Sequence, residues 1–261
     1  MSSKINRRRF LKYVGGGLVA VAAAGGGYYF YQNFVRRPSE WDYVVLGDSM
    51  GWYYPDYYAA HIEADLGVKV KLHNWAVGDQ TSSGLLNLLR INEELRDTIR
   101  EAKVVTLDFG INELEQAGMQ YMGGICGGAD NLDCVRETLK SLRANFEGIM
   151  DEILSLRSTS DAIIRAMNYY NSRVNSWKKD PGFWKDWKPI WDALNEHMVQ
   201  AASEHNIPVA RVYEAFNGPN GDEDPADKGY ISPFGKCQFP PISDSDRPSG
   251  LTRINRPLGF Q

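Results

Sequence analysis

Tyr43-Val44-Val45-Leu46-Gly47-Asp48-Ser49-Met50 is the stretch around which the rest of the chain falls into place. Val44 to Leu46 form a short apolar run with the composition of a buried strand, and Gly47 with Asp48 ends it. A strand that stops on Gly-Asp-Ser leaves the Ser49 hydroxyl at the carboxyl edge of an α/β sheet, where ligand crevices form. A serine there becomes a nucleophile when a base takes its proton and donors hold the oxyanion. The three residues fit an ordinary turn as well, so the decision lies with two loops downstream.

Strand and helix signals alternate from Trp41 onward. The strand patterns are 42–47, 68–72, 103–108, 161–167 and 207–213. A helical period is clearest over 131–157, with Val135, Leu139, Leu142, Phe146, Ile149 and Ile153 on one face. A second helix is expected over 188–204. Such alternation predicts an α/β fold, a parallel sheet covered on both faces, in one domain. Between these helices Trp177, Phe183, Trp184, Trp187 and Trp191 crowd together with several lysines. That segment reads as a long loop pinned by its aromatic rings, or as a flap over an apolar substrate group.

Charge is distributed unevenly. Residues 1–37 hold seven cations (Lys4, Arg7, Arg8, Arg9, Lys12, Arg36 and Arg37) and no acid, which leaves 22 basic against 33 acidic residues, about −11, for the remainder. An acidic body excludes the concentrated basic surface that nucleic acid requires. Cys126 and Cys134 lie close together in a Gly-rich stretch and fit either a disulfide or two free thiols; Cys237 stands apart. The histidines, at 61, 73, 197 and 205, have no zinc spacing with the cysteines.

Basic residues followed by an uncharged run from Tyr13 to Val35 have the form of an export signal. Arg7-Arg8-Arg9-Phe10-Leu11-Lys12 resembles the twin-arginine translocation signal. Ala22-Ala23-Ala24 suits cleavage. The uncharged run is also long enough to span a bilayer as a helix, with Tyr28 to Tyr31 as an interfacial belt. Residues 1–37 are thus expected to be a signal or an N-terminal membrane anchor, and 38–240 a domain outside the cytoplasm, secreted or tethered to the outer face of the membrane.

Two loops carry further chemistry. After the second strand comes Asn74-Trp75-Ala76-Val77-Gly78-Asp79-Gln80-Thr81, whose small residues let the backbone approach a ligand. After the third comes Gly110-Ile111-Asn112-Glu113, where the Asn112 amide donates a hydrogen bond without proton transfer. With backbone amides near residue 78 and at Ser49 it can hold a tetrahedral oxyanion, each donor contributing roughly 3–4 kcal/mol.

These blocks together resemble the SGNH (GDSL-type) hydrolases, which include esterases and lipases. Gly47-Asp48-Ser49 matches the first block, N-x-A-V-G-x-x-T the second and G-x-N-[DE] the third. The resemblance spans about residues 41–233. It implies a flavodoxin-like three-layer sandwich with a five-stranded parallel sheet, order 2-1-3-4-5. It also implies Ser49 as nucleophile, Gly78 and Asn112 in the oxyanion hole, ester substrates (small-molecule, lipid or glycan), and no metal or cofactor. The family glycine often stands one place later, where this chain has Asp79. The match ends at the fourth block, D-G-x-H-P, whose His is the general base and whose Asp orients it. Here Phe234 replaces the Asp, Gly235 is kept, and Cys237 or Gln238 replaces the His. The base and its Asp are therefore unknown, and the alternative is a catalytically impaired binding protein of the same fold. The polar tail, 241–261, reads as disordered and lacks the closing helix of the family. Codons for T-D-I-G-Q-R, read with the frame displaced by one base, give the observed Pro241-Ile242-Ser243-Asp244-Ser245-Asp246, so a frame shift is the expected origin of the tail.

Overall fold

The computed structural model describes residues 39–228. The expected signal or anchor (1–37), the altered fourth block (Ser232 to Pro240) and the tail (241–261) lie outside them. Five strands follow one another with helices between: β1 (Glu40–Gly47), β2 (Lys69–Asn74), β3 (Val104–Asp108), β4 (Ile163–Met167) and β5 (Val209–Ala210). The sheet order is β2-β1-β3-β4-β5 and all pairings are parallel. This is the expected five-stranded sheet with order 2-1-3-4-5.

The period of two along the strands sorts the core into two clusters. Val44, Leu46, Val105 and Leu107 face one side, against α2 (Ser82–Ile91), α3 (Glu93–Glu101), α4 (Ile111–Met122), α5 (Asp133–Leu156) and α7 (Pro181–Glu204). Tyr43, Val45 and Val104 face the other, against Tyr58 and Ile62 of α1 (Pro55–Leu66). Tyr43 through Leu46 of β1 and all of β3 are covered on both faces, and Tyr43 through Leu46 have no exposed area. The result is a three-layer α/β sandwich.

Three expectations need correction. The aromatic segment is helical: Val174–Trp177 form a single turn, α6, and α7 runs unbroken from Pro181 rather than starting at 188. Its start signal is Asp180, whose side chain accepts from Phe183 N at 3.0 Å, followed by Pro181 at the first helical position. Pro189, which looks like a helix start, sits inside α7 on an exposed face, where water can replace the hydrogen bond it removes. The fifth strand is two residues long, not seven, since Pro208 cannot donate and Val212–Asn217 coil into α8. Among the described residues no helix is long and apolar enough to cross a membrane.

Cys126 and Cys134 are joined in a disulfide. It closes the loop between α4 and α5, where Asn131 accepts from Cys126 N at 2.9 Å and donates to the Tyr121 carbonyl at 2.7 Å. The eight-residue separation sets a modest entropic effect on the unfolded chain. Cys126→Ser with Cys134→Ser should therefore lower unfolding free energy by about 2–3 kcal/mol. Urea titration checks this; an unchanged midpoint would show that the loop's hydrogen bonds suffice without the crosslink.

Candidate active site

β1 and β3 end side by side, Gly47 opposite Asp108. A Cβ on Gly47 would lie 2.0 Å from Asp108 Oδ1 and 2.1 Å from its carbonyl oxygen, and the backbone there has φ +147°. Only glycine fits. The chain then turns: Asp48 N donates to the Asp108 carbonyl at 3.2 Å, and Ser49–Trp52 wind into a 3-10 turn. The Asp48 carboxylate caps that turn, accepting from Met50 N at 2.9 Å and from the Tyr169 hydroxyl after β4. Ser49 thereby starts a short helical turn whose preceding side chain is fully buried.

The second loop is fastened to the first. Asn74 Nδ2 donates to the Gly51 carbonyl at 2.8 Å, Val77 N to the Gly47 carbonyl at 3.1 Å, and Trp52 Nε1 to the Ala76 carbonyl at 3.1 Å. Gly78 lies against the Trp52 indole, where a Cβ would approach it to 2.8 Å. The third loop is fastened to the second: Asn112 Nδ2 donates to the Gln80 carbonyl at 2.9 Å, and the Glu113 carboxylate accepts from Ser82 N.

A cavity of about 200 Å³ opens where these loops meet. Ser49, Asp79 and Asn112 line it together with Tyr169, Arg173 and Trp191. Of the three residues expected at the site, Ser49 and Asn112 share this cavity, whereas Gly78 is not in its wall. Its neighbour Asp79 is, with a left-handed backbone of φ +57°, a conformation that usually favours glycine. Among the described residues the Ser49 hydroxyl and the second Asn112 N–H make no hydrogen bond, so both are available to a ligand. Tyr169 and the segment Tyr170 to Arg173 were not expected from the sequence. Asn168, which donates to Glu214 at 2.8 Å, and Asn171, which accepts from Arg173 N at 2.8 Å, are the turn residues that could have flagged it.

No histidine of this sequence lines the cavity. His73 pairs with Asp42 at 2.7 Å, His205 with Asp151 at 3.0 Å, His197 is on α7 with Nδ1 buried, and His61 is on α1. Among the described residues no cluster of three His, Cys, Asp or Glu side chains is placed to hold a metal ion.

Beneath Ser49 lies a buried polar network. Tyr43 and Tyr54 both meet the Thr106 hydroxyl, at 2.8 and 3.1 Å, and Tyr54 donates to Asp108 Oδ1 at 3.4 Å. Burial pushes the Asp48 carboxyl up to about 6, against the opposing hydrogen bonds from Tyr169 and Met50 N. Burial, and then the charge of Asp48, push Asp108 well above the usual carboxylate range, and its Oδ2 has no hydrogen-bond partner among the described residues. Two charges so placed would repel in a low dielectric, which favours the protonated form of Asp108.

The comparisons add the fold. No family model matches the sequence, and no curated protein matches it. Among solved structures, the lipase Lip_vut3 from a goat rumen metagenome superposes with a TM-score of 0.58 at 21% identity, covering 74% of this chain and 87% of that one. A gut microbial diltiazem-metabolizing enzyme, BT4096, superposes with a TM-score of 0.52 at 14% identity, over 73% of this chain and 41% of that one. At such identities the likeness establishes the α/β architecture.

The carboxyl pair has a consequence for stability. A carboxyl whose folded-state pKa exceeds its unfolded value of about 3.9 holds its proton more tightly when folded, so it lowers stability as pH rises through that interval. For Asp48 the interval is from about pH 4 to about 6, and Asp108 extends it upward. Asp108→Asn keeps the shape and removes one ionisable group. Between pH 5 and pH 8 it should lose less stability than the parent in urea unfolding. Parallel losses would show that the Asp108 pKa is not raised on folding.

Proposed function

We propose that the chain is an ester hydrolase acting by acyl transfer through Ser49. What carries the reading is one juxtaposition: the unengaged Ser49 hydroxyl and an Asn112 amide held by a single N–H share a cavity at the carboxyl ends of β1 and β3. In the reaction Ser49 Oγ attacks the acyl carbon and loses its proton to a base. The carbonyl oxygen gains the electron pair and is held by Asn112 and by backbone amides. Collapse expels the alkoxide, which takes up a proton, and water then cleaves the acyl-serine by the same steps. The placement of Asp79 in the cavity wall favours its amide as a backbone donor, beside that of Ser49.

A second reading rests on a separate observation: none of the four histidines reaches this cavity, and the fourth block has Phe234 and Cys237 where the family pattern has Asp and His. A thiol of pKa about 8.5 without an orienting partner is a poor base. The chain as it stands then binds esters with slow turnover. Loss of a triad member typically leaves only ~10³–10⁴-fold catalysis over water.

Hydrolysis of short p-nitrophenyl esters separates the readings. The parent should be slow, Phe234→Asp with Cys237→His should raise kcat at least tenfold, and Asn112→Ala in that background should lower kcat by roughly 100–1,000-fold with little change in KM. A rate that survives Ser49→Ala would refute acyl transfer through Ser49. A fast parent rate abolished by Ser49→Ala would instead dispose of the impaired reading.

A further inference from the structure

A second, larger cavity of about 470 Å³ adjoins the Ser49 cavity, and the two share Glu115, Arg173, Trp177 and Trp191. Its apolar wall is built from α4, α6 and α7: Met119, Met122, Trp177, Phe183, Trp187 and Trp191. The rings brace one another. Phe183 stacks on Trp187 at 5.5 Å between centroids, Trp177 meets Trp191 edge-on at 5.3 Å, and Tyr121 lies 5.7 Å from Trp187. Gly118 on α4 makes room for this, since a Cβ there would come within 2.7 Å of the Trp187 ring. Tyr121 is itself fixed, its hydroxyl donating to Asp186 at 2.7 Å. One side of the cavity is thus rigid and aromatic. The other is two methionines, which adapt to varied shapes and are exposed at 61% and 65%.

We propose that this cavity is an acyl pocket, which receives the apolar chain of an ester whose carbonyl lies at Ser49; the assignment of the acyl group rests on the reading of Ser49 given above. Three observations select this occupant. The cavity adjoins the one holding Ser49 and Asn112 across four shared wall residues, so a ligand that spans both places its polar carbon in the smaller and its tail in the larger. The charged groups in the shared wall already face each other, Arg173 with Glu115 at 3.9 Å, and Asp180 is engaged in capping α7. The remainder of the wall offers aromatic and thioether surface, which rewards burial of methylenes and gives a charged group no partner. A water occupies about 30 Å³ of liquid and a methylene is of similar size, so the volume has room for a chain of ten carbons and for about fifteen at most. Each methylene that enters should strengthen binding about fourfold until the pocket is full.

The test uses the full-length chain and two readouts. Quenching of tryptophan fluorescence by sodium decanoate and sodium butyrate reports binding without catalysis; p-nitrophenyl esters from acetate to decanoate report turnover. Decanoate should bind at least a hundredfold more tightly than butyrate, in the parent and in Ser49→Ala alike. Met119→Glu and Met122→Glu change exposed positions and should each weaken decanoate at least tenfold. Equal binding of the two acids, or decanoate binding indifferent to both substitutions, would overturn the proposal. So would a dimer that Met119→Glu dissociates in a chain that binds no decanoate, because the apolar face would then belong to a second copy. If decanoate binds as expected but Ser49→Ala leaves ester turnover intact, the pocket stands as an apolar-chain site and the reading of Ser49 fails.

Discussion

Two carboxyl groups are withdrawn from water at the ends of neighbouring strands, and the loop bearing Ser49 is built on one of them. Asp48 and Asp108 have at most 2% exposure. Removing a carboxylate from water costs several kcal/mol unless it is paired or hydrogen-bonded. Asp48 meets that cost with Met50 N and the Tyr169 hydroxyl, and both bonds serve the site. The first winds the turn that presents Ser49. The second ties that turn to the segment after β4, 121 residues away, and so closes the cavity on its far side. Burial instead pushes Asp108 well above the usual carboxylate range, and the absence of a Cβ on Gly47 is what lets the two strand ends come together around it.

From this constraint the rest of the site follows by successive fastening. Asn74 holds the second loop to the first, Asn112 and Glu113 hold the third to the second, and Tyr169 passes its carbonyl to Trp191 Nε1 at 3.2 Å. That last bond sets the aromatic wall of α7 against the chemistry. Ser49, Asn112 and the aromatic cavity wall are thereby positioned by helices and strand ends packed on the sheet, which favours precise geometry.

The sheet was legible because its strands are buried on both faces and read as short apolar runs, each closed by turn residues. Ser49 and Asn112 were legible because each lies within a few residues of such an end. Tyr169 was not, since its partner is distant in sequence and its own neighbours look like a loop. Asp79 was obscured for another reason: a left-handed backbone at a non-glycine residue leaves no mark in composition. α7 starts earlier than expected because burial of Trp187, Trp191 and Leu194 along one face holds the helix through Pro189, a tertiary effect that outweighs propensity.

The central claim is that Ser49 is a nucleophile facing a prepared oxyanion site even though no histidine attends it. A fluorophosphonate probe reports this directly, because its phosphorus accepts the serine oxygen and the resulting phosphonyl oxygen occupies the oxyanion position. Mass spectrometry of the labelled, purified protein should place the adduct on Ser49 alone, with slow formation in the parent and none in Ser49→Ala. An adduct at another residue, or a parent and a Phe234→Asp, Cys237→His variant that both remain unlabelled, would contradict it.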